Sequence, residues 1–241
     1  MSNEVSKENQ PDLNITSMAQ PFSRRKFFGI MGAGTALMVT AAACKKYNPG
    51  QPGGGHNTGN GGVNLGSGDT GILNYAYSLE QLEAAFYTQV IATPYAGISN
   101  MEMSYLKDVR DHEIAHREFF KAALGSMAIK KVEVNFSSIN FRDRTSVLDT
   151  AKAFEDLGVS AYNGAGKLIA NADYLTLAGK IVSVEARHAA LIRDLIMPGS
   201  FADMTAVDAN GLDGARTPDE VLSIAGTYLK TKLDASNLPT S

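Results

Sequence analysis

Two short spacings each occur twice in this chain, and their copies alternate along it. One joins a Glu to a Tyr seven residues later, and the other joins a Glu to a His three residues later. In chain order the copies are Glu80/Tyr87, Glu113/His116, Glu155/Tyr162 and Glu185/His188. Random placement would give about 0.4 matches of the first spacing and about 0.2 of the second. The pattern therefore indicates that the chain contains two copies of one set of residues and that both copies serve the same site.

Apolar residues recur every three or four positions, which predicts one helix around each copy. The predicted helices cover residues 72–91, 100–124, 146–170 and 173–196. Short links join the first to the second and the third to the fourth, and a long link joins the two pairs. This layout predicts an all-α four-helix bundle over residues 72–197, built from two hairpins and a long crossover. The extension over 198–241 should hold one more helix, beginning at Thr217-Pro218-Asp219-Glu220.

The spacing predicts a metal centre inside this bundle. Residues three apart share a helix face, so each Glu-x2-His element offers a carboxylate and an imidazole to one point. The predicted ligands are Glu80, Glu113, His116, Glu155, Glu185 and His188. Two divalent cations would neutralise the four carboxylates, which would otherwise be buried at a cost of several kcal/mol each. Carboxylate with little imidazole and no thiolate favours two iron or manganese ions, with zinc as an alternative.

Several nearby side chains have two interpretations. The hydroxyls of Tyr87 and Tyr162 could bond the ligand carboxylates or be redox-active, and both residues could also be ordinary core tyrosines. Glu83, one turn from Glu80, is an alternative ligand on the first helix. His112 points about 100° away from the neighbouring ligand Glu, which predicts a surface residue or a residue just outside the ligands.

Two further expectations concern charged residues outside the ligand set. Glu102, Glu118 and Asp156 should lie on a solvated helix face. Arg187 and Arg193 should each pair with a carboxylate on a neighbouring helix.

The N-terminal region predicts an export signal over residues 1–43. Arg24 and Arg25 precede an uncharged stretch that ends in small residues, and this is typical of a twin-arginine signal. The tetrad Ala41-Ala42-Ala43-Cys44 is similar to a lipobox, so Cys44 is the predicted lipidation site. Ordinary cleavage and a retained anchor helix are the alternatives. Residues 44–71 are rich in Gly and predict a flexible tether. The protein should therefore be exported to the cell envelope, on the periplasmic side, and anchored to the membrane by lipid.

Length and composition exclude other classes. A chain of 241 residues supports one good core, and its net charge of −3 lacks the basic face expected of a nucleic-acid partner. A single Cys excludes a disulfide framework, a Cys-rich zinc module and a Cys-ligated iron–sulfur cluster.

Four segments resemble the ferritin-like domain of desiccation-related and stress-response proteins. They are YAYSLEQLEAAFY at 75–87, DHEIAH at 111–116, FEDLGVSAYNG at 154–164 and VSVEARHAAL at 182–191. The ligand pattern is also similar to those of rubrerythrin and bacterioferritin. The resemblance implies a ferritin-like fold with a di-iron or dimanganese centre. It departs from rubrerythrin-like peroxidases, whose iron relay is held by four cysteines, so an electron donor would have to be external.

The sequence thus favours a dinuclear metalloprotein that reacts with dioxygen or peroxide. The alternatives are a non-catalytic desiccation or stress protein and a metal-sequestering envelope protein. Assembly as a homodimer is compatible with each of them, whereas a storage cage fits poorly with a tether and a lipid anchor.

Overall fold

A computed structural model describes residues 61–240, and four long helices dominate it. These are α1 (Gly68–Ala92), α2 (Asn100–Leu124), α3 (Arg144–Gly166) and α4 (Ala172–Ile196). A short helix, α5 (Pro218–Ala225), follows, and two strands, β1 (Val63–Asn64) and β2 (Leu233–Asp234), pair in parallel. The most extensive packing joins α1 to α2 and α3 to α4. The predicted all-α bundle of two hairpins with a long crossover and a C-terminal helix is confirmed.

Local capping explains where the helices begin. Ser99 and Glu102 form a reciprocal capping box at the start of α2, and Thr217 and Glu220 form another at the start of α5. The Asn171 side chain accepts hydrogen bonds from two backbone N–H groups of α4. The sequence predicts that the third helix runs to residue 170, but α3 ends at Gly166. The Asn171 cap begins α4 shortly afterwards, so the chain turns back earlier than expected.

The predicted tether boundary at residue 71 is wrong, because the fold begins earlier. Leu65 is completely buried, and its N–H donates to the carbonyl oxygen of Asp234 at 3.0 Å. Gly71 lies against the side chain of Leu238, which approaches within 2.7 Å of where a Cβ would stand. Residues 63–71 are thus attached to the C-terminal end of the chain by backbone pairing and packing. The export signal, Cys44 and the tether up to residue 60 lie outside the described residues.

A single apolar core runs through the bundle and continues beneath the crossover. Phe86 on α1 is fully buried and contacts the rings of Phe136 and Phe141 from the crossover and Phe154 from α3. Asn74, also buried, fastens the start of the crossover, because its side chain donates to the carbonyl of Met127 and accepts from the N–H of Ile129. The long connection is therefore held against α1 and closes one side of the bundle.

Glu102 is buried rather than solvated, contrary to the expectation from sequence. Its carboxylate accepts from the guanidinium of Arg144 on α3, whose Nη2 also donates to the carbonyl of Leu195 on α4 at 2.8 Å. Burial alone would raise the pKa of Glu102, but this guanidinium holds the pKa below its usual value. The pair joins the beginning of α2 to α3 and α4.

Replacing Arg144 by Ala should lower the free energy of unfolding by about 1 kcal/mol at neutral pH, since the guanidinium is partly exposed. The stabilisation from a lowered carboxyl pKa is present above the ordinary value of about 4.3 and is lost as the pH falls through the folded-state pKa. The difference between wild type and variant in urea titrations should therefore shrink in acid to the part that the hydrogen bond from Arg144 to Leu195 contributes. Arg110→Ala, which breaks an exposed contact with the adjacent Asp111, is the control and should change little. A pH-independent difference would contradict this account.

The two predicted arginine pairings have different outcomes. Arg193 is buried and donates to both carboxylate oxygens of Asp156 on α3, which joins α4 to its hairpin partner. Arg187 instead bonds Ser183 one turn earlier on its own helix, so the predicted pairing with a neighbouring helix is wrong. In the part of the chain from 61 to 240, no helix is both long enough and apolar enough to span a membrane.

Candidate metal centre

The six predicted ligands come together in the middle of the bundle. α1 and α3 each bring one Glu, and α2 and α4 each bring one Glu-x2-His element. All four glutamate side chains are completely buried, and the side chains of His188 and His116 are only 5% and 13% exposed. The four helices thus bring four carboxylates and two imidazoles together in a space that excludes bulk water.

These residues form two overlapping groups that share two carboxylates. The first group is Glu80, Glu113, His116 and Glu185, and the second is Glu113, Glu155, Glu185 and His188. Within each group the candidate ligand atoms lie within 4.8 Å of one another. We call the two groups the His116 position and the His188 position. Because Glu113 and Glu185 belong to both, they would be shared by two ions if both positions held one.

Distances show how the shared carboxylates divide their oxygens at the His116 position. Nδ1 of His116 lies 2.8 Å from Oε1 of Glu185 and 3.9 Å from Oε2 of Glu113. It also lies 3.4 Å from Oε2 of Glu80. Ligand atoms that bind one ion at about 2.0–2.2 Å are themselves about 3 Å apart, so these spacings suit a single cation.

The His188 position repeats this arrangement with the helices exchanged. Nδ1 of His188 lies 2.8 Å from Oε1 of Glu113, 3.4 Å from Oε2 of Glu155 and 3.8 Å from Oε2 of Glu185. Each shared carboxylate therefore directs one oxygen to each position. The doubled sequence pattern corresponds to an approximate twofold arrangement of the side chains.

Eight buried atoms of the two positions have no hydrogen-bond partner in the described structure. They are Oε2 of Glu80, both oxygens of Glu113, Nδ1 of His116, Oε2 of Glu155, both oxygens of Glu185 and Nδ1 of His188. The short distances from Nδ1 of His116 and of His188 to glutamate oxygens are therefore approaches between ligand atoms, not hydrogen bonds. Buried carboxylate oxygens without partners cost several kcal/mol, and cations between them would supply the missing interaction. The donor set therefore fits two divalent cations.

The electrostatics of these groups also indicate a need for positive charge. Burial, together with the neighbouring carboxylate of Glu185, raises the pKa of Glu113 well above its usual value. Burial would also raise the pKa of Glu185, but the two imidazoles lower it to about 2. Conversely, burial would lower the pKa of His116, yet the carboxylates of Glu185 and Glu80 raise it to about 11. Without cations, protonated imidazoles would have to balance the buried negative charge.

Two tyrosine hydroxyls donate to the carboxylate oxygens that are not directed at the His116 and His188 positions. Tyr87 on α1 donates to Oε1 of Glu155 on α3 at 2.5 Å, and Tyr162 on α3 donates to Oε1 of Glu80 on α1. Each tyrosine thus reaches the carboxylate of the opposite helix rather than the Glu seven residues before it. Both hydroxyls are buried, and each leaves the second oxygen of its carboxylate directed toward one position.

Tyr87→Phe should weaken ion binding at the His188 position about tenfold, because Glu155 loses the hydroxyl that orients it. Tyr162→Phe should do the same at the His116 position through Glu80. Calorimetric titration of the metal-free protein with Mn²⁺ would measure both effects. Tyr105→Phe, at an exposed position on α2, is the control and should leave both affinities unchanged. Equal weakening of both ions by either variant would contradict the pairing described here.

Glu83 and His112 have different relations to these groups. Glu83 is buried but belongs to neither group, and burial together with Glu113 raises its pKa well above the usual value. Its Oε1 lies 3.0 Å from where a Cβ on Gly158 would stand, so the glycine makes room for this carboxylate. His112 contacts His188 directly, with 2.9 Å between Nδ1 of His112 and Nε2 of His188.

A family model for the ferritin-like domain matches residues 68–198, which include α1 to α4 and all six predicted ligands. The chain belongs to the ferritin-like domain family. No curated protein matches the chain. A ferritin-like domain with these buried acidic and imidazole groups is consistent with a metal-binding bundle.

Proposed function

We propose that this ferritin-like protein binds two iron or manganese ions at the centre of the bundle formed by α1, α2, α3 and α4, and that it reacts there with dioxygen or peroxide. The observation that supports this most directly is the set of eight buried ligand atoms that lack hydrogen-bond partners. Four carboxylates with one imidazole for each position, and no thiolate, suit iron and manganese better than a structural zinc site. Such ions, when bound, supply a change of oxidation state and Lewis acidity.

The surrounding residues have separate tasks in this proposal. Glu113 and Glu185 would contribute to both ions, and Glu80 and Glu155 would each complete one position. Tyr87 and Tyr162 fix the orientation of those outer carboxylates through the hydroxyl contacts described above. The buried faces of the four helices exclude water from the centre. Among the six ligands His116 has the most exposed side chain, which favours that side as the approach for a small oxidant.

The remaining parts of the proposal rest on the sequence. Arg24 and Arg25, followed by Ala41-Ala42-Ala43-Cys44, favour export and attachment of Cys44 to lipid at the periplasmic side of the cell envelope. With a single Cys the chain has no four-cysteine iron relay, so the reductant would be an external electron donor. A protein that consumes peroxide or dioxygen at the envelope would lower the amount of reactive oxidants there, and this agrees with a role in oxidative stress.

Metal content and reactivity together test this function. Elemental mass spectrometry of residues 45–241, purified from cells supplied with iron and manganese, should find about two such ions per chain. Peroxide or dioxygen should then be consumed with a reductant present, and the Glu113→Gln/Glu185→Gln variant should not consume either. Two bound ions without turnover would instead favour metal sequestration or a non-catalytic stress role. A well-folded protein without metal would overturn the proposal.

A further inference from the structure

The two positions are not fully equivalent, although the ligands repeat. His112 directly precedes Glu113 on α2, whereas Val184 directly precedes Glu185 on α4. His112 contacts the ligand imidazole of the opposite helix, His188. Valine has no polar atom, so Val184 cannot provide a matching hydrogen bond for His116. The approximate twofold arrangement is therefore broken just outside the ligands.

The contact has the geometry of an imidazole pair joined by a hydrogen bond. Nδ1 of His112 lies 2.9 Å from Nε2 of His188, and the two rings are nearly parallel, with 7° between their planes. His112 is exposed at the surface of α2, while His188 is 4% exposed. The pair thus connects the buried centre to the outer face of the bundle.

The tautomer of His188 follows from its two neighbours. Its Nδ1 points among the carboxylates of Glu113 and Glu155, and a nitrogen that binds a cation must carry a lone pair rather than a proton. The proton of a neutral imidazole then resides on Nε2, where Nδ1 of His112 is placed to accept it. Such an outer contact orients a ligand imidazole and raises its basicity.

We infer that His112 is a positioning residue that fixes the tautomer of His188 and strengthens ion binding at the His188 position alone. This inference rests on the proposed two-ion centre. Loss of an outer partner of this kind costs about 10–100-fold in affinity for the metal. One of the two affinities should therefore depend on His112, and the other should not.

Mn²⁺ titration of the metal-free full chain, followed by calorimetry and by the electron paramagnetic resonance signal of unbound Mn²⁺, would measure both dissociation constants. His112→Val, which introduces the residue type found at position 184, should raise one of the two dissociation constants at least tenfold. His112→Asn retains an acceptor near the place of Nδ1 and should restore binding to within about threefold of wild type. Val184→Ala is the matched control on α4 and should change neither constant. Melting of the metal-free variants should match wild type.

Two ligand variants assign the effect to a position. Glu80→Gln removes the outer carboxylate of the His116 position, so the ion that this variant still binds tightly is the one at the His188 position. Adding His112→Val should weaken the binding of that ion. Glu155→Gln impairs the His188 position, so the ion that this variant still binds tightly is the one at the His116 position. Adding His112→Val should leave the dissociation constant of that ion unchanged.

The possible failures are distinguishable. Wild type that binds no Mn²⁺ would overturn both the proposed centre and this inference. Two ions bound equally well by wild type and His112→Val would overturn the inference alone. Equal weakening of both ions, or a loss that Asn does not restore, would also overturn it, since either result assigns the effect to packing.

Discussion

Replacing both shared carboxylates, in Glu113→Gln/Glu185→Gln, should remove both ions and all stabilisation that the ions bring. Each ion bound at 100 times its dissociation constant adds about 2.7 kcal/mol to the free energy of unfolding. Wild type should therefore melt at a higher temperature when Mn²⁺ is added, and the double variant should not. Glutamine keeps the side-chain volume but lacks the charge and the second carboxylate oxygen, so it cannot bridge two cations.

Calorimetric melting with and without Mn²⁺, alongside elemental analysis, would measure this effect. Glu118→Gln removes one carboxylate from a partly exposed place on the same helix as Glu113 and is the matched control. That variant should retain two ions and the full thermal shift. Helical circular dichroism should be preserved in every variant, because the apolar core does not depend on these side chains. Two ions bound to the double variant would contradict the assignment of Glu113 and Glu185 as bridges.

Gly164→Ala should disrupt the attachment of the C-terminal extension to α3. A Cβ at this position would lie 1.7 Å from the carbonyl oxygen of Arg216, which is a backbone atom and cannot simply rotate away. The same contact is held by the Arg216 N–H, which donates to the carbonyl of Ser160 at 2.9 Å. We expect a loss of about 1–3 kcal/mol in the free energy of unfolding, the usual cost of overpacking.

Urea titration would measure that loss, and limited proteolysis would show faster cleavage near Arg216. Gly179→Ala is the control, because Gly179 is exposed on α4 and the added Cβ would have no atom within 4 Å apart from the adjacent residues and the backbone of its own helix. Alanine is favoured over glycine in a helix interior by about 0.5–1 kcal/mol, so this variant should be slightly more stable. If Gly164→Ala were as stable as Gly179→Ala, the close contact with residue 216 would not exist in solution.

This attachment matters because the C-terminal extension belongs to the core. The ring of Tyr228 packs edge-on against Phe154 of α3, with ring centroids 4.8 Å apart. Strand β2 pairs with β1 just before α1, and Val134 of the crossover bridges to Leu229. The extension thus covers the same side of the bundle as the crossover and holds the start of the first helix in place.

The apolar periodicity determined the helix count, and the doubled spacing determined the chemistry that the centre could support. Residues three apart on a helix lie on one face whatever the helix packs against, so the pairs Glu113/His116 and Glu185/His188 could be recognised without coordinates. Two short links and one long link then permit few arrangements of four helices. The bundle and the convergence of these residues followed from local periodicity and chain connectivity.

Contacts between different helices were decided only by the tertiary structure. Each tyrosine bonds the carboxylate of the opposite helix, and His112 meets His188, because helix rotation and separation place these side chains together. Glu102 is buried for the same reason, since Arg144 approaches it from another hairpin. The start of the fold near Leu65 depends on pairing with residues near the C-terminus. Periodicity describes one helix at a time, so the sequence determined which groups enter the bundle, and packing decided which of them meet.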